Sequence, residues 1–108
     1  MANDKLIHLI VNEIANKVLS FNDVSKLVSG GITANITNTF LGRESSVPGI
    51  WIDGDDNKYS IGIRLNVYYG VNVPQLSYDI QSQTKKILDR YDINIDTINI
   101  IVEGIDKK

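Results

Sequence analysis

The chain contains no cysteine, so its 108 residues form neither disulfides nor thiolate sites. Basic residues are not in excess either. Eleven Lys and Arg against thirteen Asp and Glu give a formal net charge of −2. Proteins that bind nucleic acids usually present a basic face to the phosphates, so a nucleic-acid partner is disfavoured. No apolar run approaches the roughly 20 residues that span a bilayer, and the first residues lack the apolar core of a signal peptide. We therefore expect no direct membrane insertion, and the lack of cysteine suits the cytoplasm.

Size and composition predict one folded unit. A chain of 108 residues that is 43% hydrophobic can bury one modest core without disulfides or a structural metal. No internal repeat, linker or low-complexity tract divides it. We therefore treat residues 1–108 as a single domain.

Apolar residues at helical spacing predict a helix over residues 5–19 and a longer one over 74–91. A short second helix is predicted over 32–41, although its three threonines disfavour helix. The segment 24–28 is too short to assign to either class.

Alternating apolar residues predict three strands. Residues 50–53 and 58–69 form a hairpin around the polar loop 54–57, and residues 95–102 form a third strand. In the long strand, Ile61, Ile63, Leu65, Val67 and Tyr69 are predicted to face inward. The order helix, short helix, strand, strand, helix, strand predicts an α+β fold, with helices packed on one face of a three-stranded sheet. Whether the last strand lies beside the long or the short strand stays open.

The sequence contains three candidate metal, catalytic or phosphate-binding features, and none matches the pattern its chemistry requires. A calcium loop beginning at Asp53 would need an acidic residue at its twelfth position, where the chain has Arg64. His8 is the only histidine, and we interpret it as a surface residue of the first helix. The Ser-Gly-Gly run at 29–31 is not followed by the lysine of a phosphate-binding loop. We therefore predict no catalytic residue, no metal and no cofactor.

The parity of the strands places the only tryptophan, Trp51, on the sheet face away from the helices, together with Tyr68 and Ile101. Exposed aromatic patches often mark interfaces, so these three residues are candidate partner contacts. The alternative is that the first helix or the 32–41 segment covers this face, which would make Trp51 part of the core.

The sequence Tyr-Gly-Val-Asn-Val-Pro at 69–74 resembles the Tyr-Gly-Val-Asn-Ile-Pro signature of the alkaline shock, YloU-type envelope stress response family. Its signature residues here are Tyr69, Gly70, Asn72 and Pro74. The resemblance extends over nearly the whole chain, including Leu-Gly-Arg at 41–43 and the closing Ile-Val-Glu-Gly-Ile at 101–105. The chain departs from the family in lacking the short strand that often precedes the first helix.

The resemblance implies a non-catalytic cytoplasmic protein of Gram-positive bacteria that serves cell-envelope homeostasis. Members of this family self-associate, and some are held at the membrane by a small integral membrane protein. We therefore expect a homo-oligomeric scaffold or adaptor, possible anchoring by such a membrane partner, and no nucleic acid. The alternative is a regulatory protein that binds an enzyme of fatty-acid or lipid synthesis. An RNA-binding module is disfavoured by the acidic charge.

Overall fold

A computed structural model describes residues 4–29, 43–55 and 58–108 of the chain. It contains two helices and five strands in the order α-β-β-β-β-α-β within that part of the chain. In chain order the elements are α1 (Asp4–Leu19), β1 (Val24–Leu27), β2 (Arg43–Glu44), β3 (Ile50–Asp55), β4 (Lys58–Tyr68), α2 (Val73–Arg90) and β5 (Ile95–Asp106).

Strand β4 is the centre of the sheet. Strand β5 runs parallel to it along one edge, while β3 and β1 lie antiparallel along the other edge, one after the other. Arg64 marks the junction of β3 and β1, because its backbone N–H donates to Gly49 and its carbonyl oxygen accepts from Val28. The two-residue strand β2 pairs with β3 and extends the sheet.

Both helices pack on the same face of the sheet, which we call the helix face. The core between them is almost entirely aliphatic, because every second residue of β4 and one stripe of each helix point into it. Its fully or nearly fully buried members are Ile10, Val11, Ile14, Ala15, Val18, Val24, Ile50, Ile61, Ile63, Leu65, Val67, Leu76, Ile80, Ile87 and Leu88.

The α+β class, the hairpin, the third strand and the packing of helices on one face are confirmed. The sheet is wider than the three strands predicted, because 24–27 and 43–44 also pair. The third strand lies beside β4 and continues to Asp106, four residues beyond its predicted end. The first half of the predicted hairpin loop is paired as well, with Asp55 opposite Lys58. The short helix predicted over 32–41 lies outside the described residues.

One inward-facing prediction is wrong. Tyr69 follows the end of β4, beyond the reach of the core, and is 81% exposed.

Candidate functional site

Trp51 lies on the sheet face opposite the helices, which we call the outer face. Its side chain is completely buried, and Ile101 of β5 packs against it. The guanidinium carbon of Arg64 lies 5.4 Å from the centroid of the indole ring, within the range of a cation–π contact. An aromatic core separate from the helix-face core is thus built on the outer face.

Arg64 is the buried charge among the residues whose exposure is described, because only 1% of the residue is exposed. Its Nη2 lies 2.5 Å from Oε2 of Glu103, and its Nε donates to the same oxygen at 3.1 Å. Its Nη1 is buried and has no hydrogen-bond partner. Burying a guanidinium costs free energy unless the charge is paired. The Glu103 carboxylate therefore offsets the cost of removing Arg64 from water.

A second polar cluster joins three strands at the end of the outer face. Asp106 Oδ2 accepts a hydrogen bond from the Ser25 hydroxyl at 2.6 Å and from the Asn66 amide at 3.2 Å. The pKa of Asp106 lies below its ordinary value, and the hydrogen bond from Ser25 is the largest cause. The hydrogen bond from Asn66 and the positive charge of Lys26 lower the pKa further, while partial desolvation acts in the opposite direction. The cluster therefore fastens the end of β5 to β4 and β1.

The loop over residues 69–74, which we call the signature loop, connects β4 to α2. Tyr69 donates its backbone N–H to Asp106 at 2.9 Å, which keeps the loop beside the end of β5. Gly70 has a φ of +88°, a value that favours glycine.

The end of the signature loop starts helix α2. The side chain of Asn72 caps the helix by accepting from the Gln75 backbone N–H at 3.1 Å. Pro74 occupies the first turn, where the missing N–H has no intrahelical partner to lose, one position later than the sequence predicted.

Three of the four signature residues therefore have a local structural role. The side chain of Tyr69 does not, because it is 81% exposed. Ile105 is 64% exposed and pairs with Val67, two residues before Tyr69, on the helix face of the sheet. We call Tyr69 and Ile105 the apolar end of the sheet.

A comparison with known protein families identifies the family of this chain. Residues 2–107 match the profile of the Asp23 family, which is described as having a cell envelope-related function. The chain belongs to the Asp23, or alkaline shock protein 23, family. The family name is unconnected with the aspartate at position 23. Neither the curated proteins nor the solved structures contain a significant match to the chain.

The three predicted contact residues of this alkaline shock family member differ in how far they are buried. Trp51, Tyr68 and Ile101 do lie on the outer face, but Trp51 is fully buried and Ile101 and Tyr68 are partly buried. Trp51 is therefore part of a core in this fold, as the alternative reading of the sequence had it, and a contact role for it stays a prediction. The first helix does not cover it, because α1 packs on the helix face. A contact role for the rest of the outer face stays a prediction.

The Arg64–Glu103 pair and the Asp106 cluster were missed at the sequence level. Arg64 and Glu103 are 39 residues apart, and only the parallel pairing of β5 with β4 brings them together. Ser25 reaches Asp106 only because residues 24–27 form a strand, whereas the segment 24–28 was too short to assign from the sequence.

The described residues give little support for a metal site, a histidine site or a membrane-spanning helix. Among them, no three metal-binding side chains of the His, Cys, Asp or Glu type come together. His8 is exposed on α1, where its Nδ1 lies 2.6 Å from the Ser46 hydroxyl and its Nε2 lies 3.2 Å from the Asn12 amide. Of the helices described, none is long and apolar enough to cross a membrane.

Proposed function

We propose that this chain is a non-catalytic cytoplasmic adaptor in cell-envelope homeostasis, which acts through contacts with a partner protein and with further copies of itself. The family assignment supports the link to the envelope. The adaptor role rests on the exposure of Tyr69, the one signature side chain that the fold does not use.

The chemistry of the apolar end suits protein contact. Tyrosine buries a large apolar ring at low conformational cost and offers a hydroxyl at its tip, which is why it is enriched at interfaces. Ile105 adds aliphatic surface at the same end of the sheet. Backbone hydrogen bonding of Tyr69 to Asp106 and the capped start of α2 hold the ring on a rigid support. A partner would thus bind a preformed surface.

The partner that the family resemblance implies is a small integral membrane protein. The test is a pull-down of the tagged full chain from crosslinked cells that express it natively, with partners identified by mass spectrometry. Tyr69→Ala should lose the partner. Tyr78→Ala, which removes another exposed tyrosine from the second turn of α2, should keep it.

Three results would separate the possibilities. Recovery of a small membrane protein that depends on Tyr69 supports the adaptor. A soluble enzyme of lipid synthesis in fixed proportion would favour the regulatory alternative. A membrane partner retained equally by Tyr69→Ala and Tyr78→Ala would contradict the role of the apolar end.

A further inference from the structure

Strand β5 has a long edge that the rest of the described chain leaves open. The strand runs for 12 residues from Ile95 to Asp106 and pairs with β4 along one side. No strand pairs with its other side in the regions 4–29, 43–55 and 58–108. A long edge of this kind presents unpaired backbone groups to another chain unless something blocks it.

The register identifies which backbone groups face outward. The N–H and C=O of Arg64 bond toward β1 and β3, so those of its neighbours Ile63 and Leu65 face β5. Ile63 pairs with Ile100 and Leu65 with Val102. In a parallel ladder the bonds go to the residues flanking each partner, so Ile100 and Val102 point their own N–H and C=O away from β4. By the same rule Ile98, opposite Ile61, also points outward.

This outward set is uninterrupted and nearly symmetric. One bulge lies before Thr97 and another lies between Val102 and Gly104, so the outward residues 98, 100 and 102 fall between them. Their side chains all lie on the helix face, where each is only partly buried. A pattern of Ile, Ile and Val centred on Ile100 reads almost the same in both directions.

Between its two bulges, β5 carries few of the usual devices that block an edge. The strand contains neither proline nor lysine. Glu103 is held by Arg64, and Asp106 is held by Ser25 and Asn66. Among the described residues, Gln81 of α2 reaches the edge and donates to the Ile98 carbonyl at 2.8 Å. A carbonyl oxygen has two lone pairs, so this contact leaves it able to accept a second bond.

We propose that β5 pairs with β5 of a second copy of this chain, antiparallel and about a two-fold axis at Ile100, to form one continuous sheet. Ile100 then faces Ile100 of the second copy, and Ile98 faces Val102 of the second copy. This arrangement forms about six backbone hydrogen bonds. It also places no two acidic residues directly opposite each other, since Glu103 faces Thr97 of the second copy. The proposal rests on the self-association included in the proposed function and names the surface that carries it.

Cysteine crosslinking tests the register, because the native chain has no cysteine. In the full-length chain, Ile100→Cys places two thiols on residues about 5.5 Å apart between Cα atoms, which a disulfide can span. Val102→Cys is the matched control on the same edge. Its two copies would lie roughly 14 Å apart, too far to bridge. Tyr69→Cys probes association through the apolar end instead.

The expected result is a particle of about 24 kDa, twice the 12.0 kDa chain, by light scattering, with mild oxidation linking Ile100→Cys but not Val102→Cys. A monomer at all concentrations, or crosslinking of Tyr69→Cys without Ile100→Cys, would overturn the edge pairing. Either result would leave the membrane partner of the pull-down untouched, so the failure of this proposal can be told from the failure of the adaptor role.

A second variant tests the edge without altering the partly buried Ile100. Asn99 is exposed, and Asn99→Lys would set two lysines on diagonal positions about 7–8 Å apart across the seam. We expect the dimer dissociation constant to rise about tenfold or more. Asn16→Lys makes the same change on an exposed position of α1 and should leave that constant unchanged. Equal constants for the two variants, together with no crosslink at Ile100→Cys, would refute the proposal.

Discussion

The guanidinium carbon of Arg64 lies 5.4 Å from the ring centroid of Trp51, and both residues are buried on the sheet face opposite α1 and α2. The pair stands on neighbouring strands, with Trp51 opposite Gly62 and Arg64 two residues further along β4. The outer face therefore carries a core of its own, one that depends on charge and aromatic contact as well as on apolar burial.

Loss of the Glu103 carboxylate should destabilise the fold. Glu103→Gln keeps the shape of the side chain but removes the charge that neutralises a guanidinium exposed by only 1%. Because the Glu103 side chain itself is 31% exposed, solvent screens part of the effect, and we expect a loss of about 1–3 kcal/mol in the free energy of unfolding. Urea denaturation measures it.

The matched control is Asp96→Asn, which breaks the exposed pair between Asp96 and Lys58 on the same two strands. Exposed ion pairs contribute little, so this change should stay within about 0.5 kcal/mol. Equal effects of Glu103→Gln and Asp96→Asn would show that the buried pair is not needed to hold Arg64.

Truncation of Trp51 should lower the free energy of unfolding. Trp51→Ala removes a fully buried ring and leaves Arg64 without its cation–π partner, for which we expect a loss of about 3–5 kcal/mol. Tyr69→Ala removes an exposed ring of similar size and should change stability by less than about 0.5 kcal/mol. Thermal and urea unfolding followed by circular dichroism compare the two. A Trp51→Ala variant as stable as the native chain would contradict the buried outer core.

The sequence predicted those parts of the fold that depend on local periodicity. The alternation of Ile61, Ile63, Leu65 and Val67 identified β4 and its buried face. Gly70 and Pro74 marked the start of α2, because each has a conformational preference that acts within a few residues.

Local periodicity could not predict which strands pair over a long sequence separation. The same strand parity that places Tyr68 on the outer face also places Arg64 there, but a charge on that face is expected to meet water. Its burial depends on the position of β5, and nothing in the local pattern states which strand lies beside β4. Tyr69 shows the opposite case. Alternation placed it inward, whereas the strand and the core both end before it.

The Asp106 cluster makes stability depend on pH in the acidic range. Ser25, Asn66 and Lys26 favour the charged carboxylate, so the pKa of Asp106 in the folded state lies below its unfolded value. The unfolded state then binds more protons between the two pKa values. This contribution to stability is fully present above about pH 4 and is lost as the pH falls through the folded-state pKa.

Comparison of the native chain with Asp106→Asn isolates this effect. The difference in their free energies of unfolding should shrink as the pH falls from 6 to about 2, because the variant has no carboxyl to titrate. Ser25→Ala should raise the pKa of Asp106, measured by NMR titration of its carboxyl carbon. A difference between native chain and Asp106→Asn that stays constant over this range would contradict the cluster.

Two glycines with positive φ should respond differently to alanine. Gly54 in β3 has a φ of +122°, and a Cβ there would lie 2.2 Å from the Lys58 carbonyl oxygen across the hairpin. Because both the backbone strain and the clash must be relieved, Gly54→Ala should cost about 3 kcal/mol or more. Gly70 in the signature loop has a φ of +88° with nothing within 4 Å of the added Cβ, so Gly70→Ala should cost only about 1–2 kcal/mol.

Gly70→Ala also tests the support beneath the apolar end. The variant should remain folded in urea titrations, yet a shift in the backbone at residue 70 would move Tyr69 relative to the Asp106 carbonyl that its N–H contacts. We therefore expect partner recovery in the pull-down to fall while stability falls only slightly. Full partner recovery by Gly70→Ala, alongside its loss in Tyr69→Ala, would show that the ring is needed but its rigid placement is not.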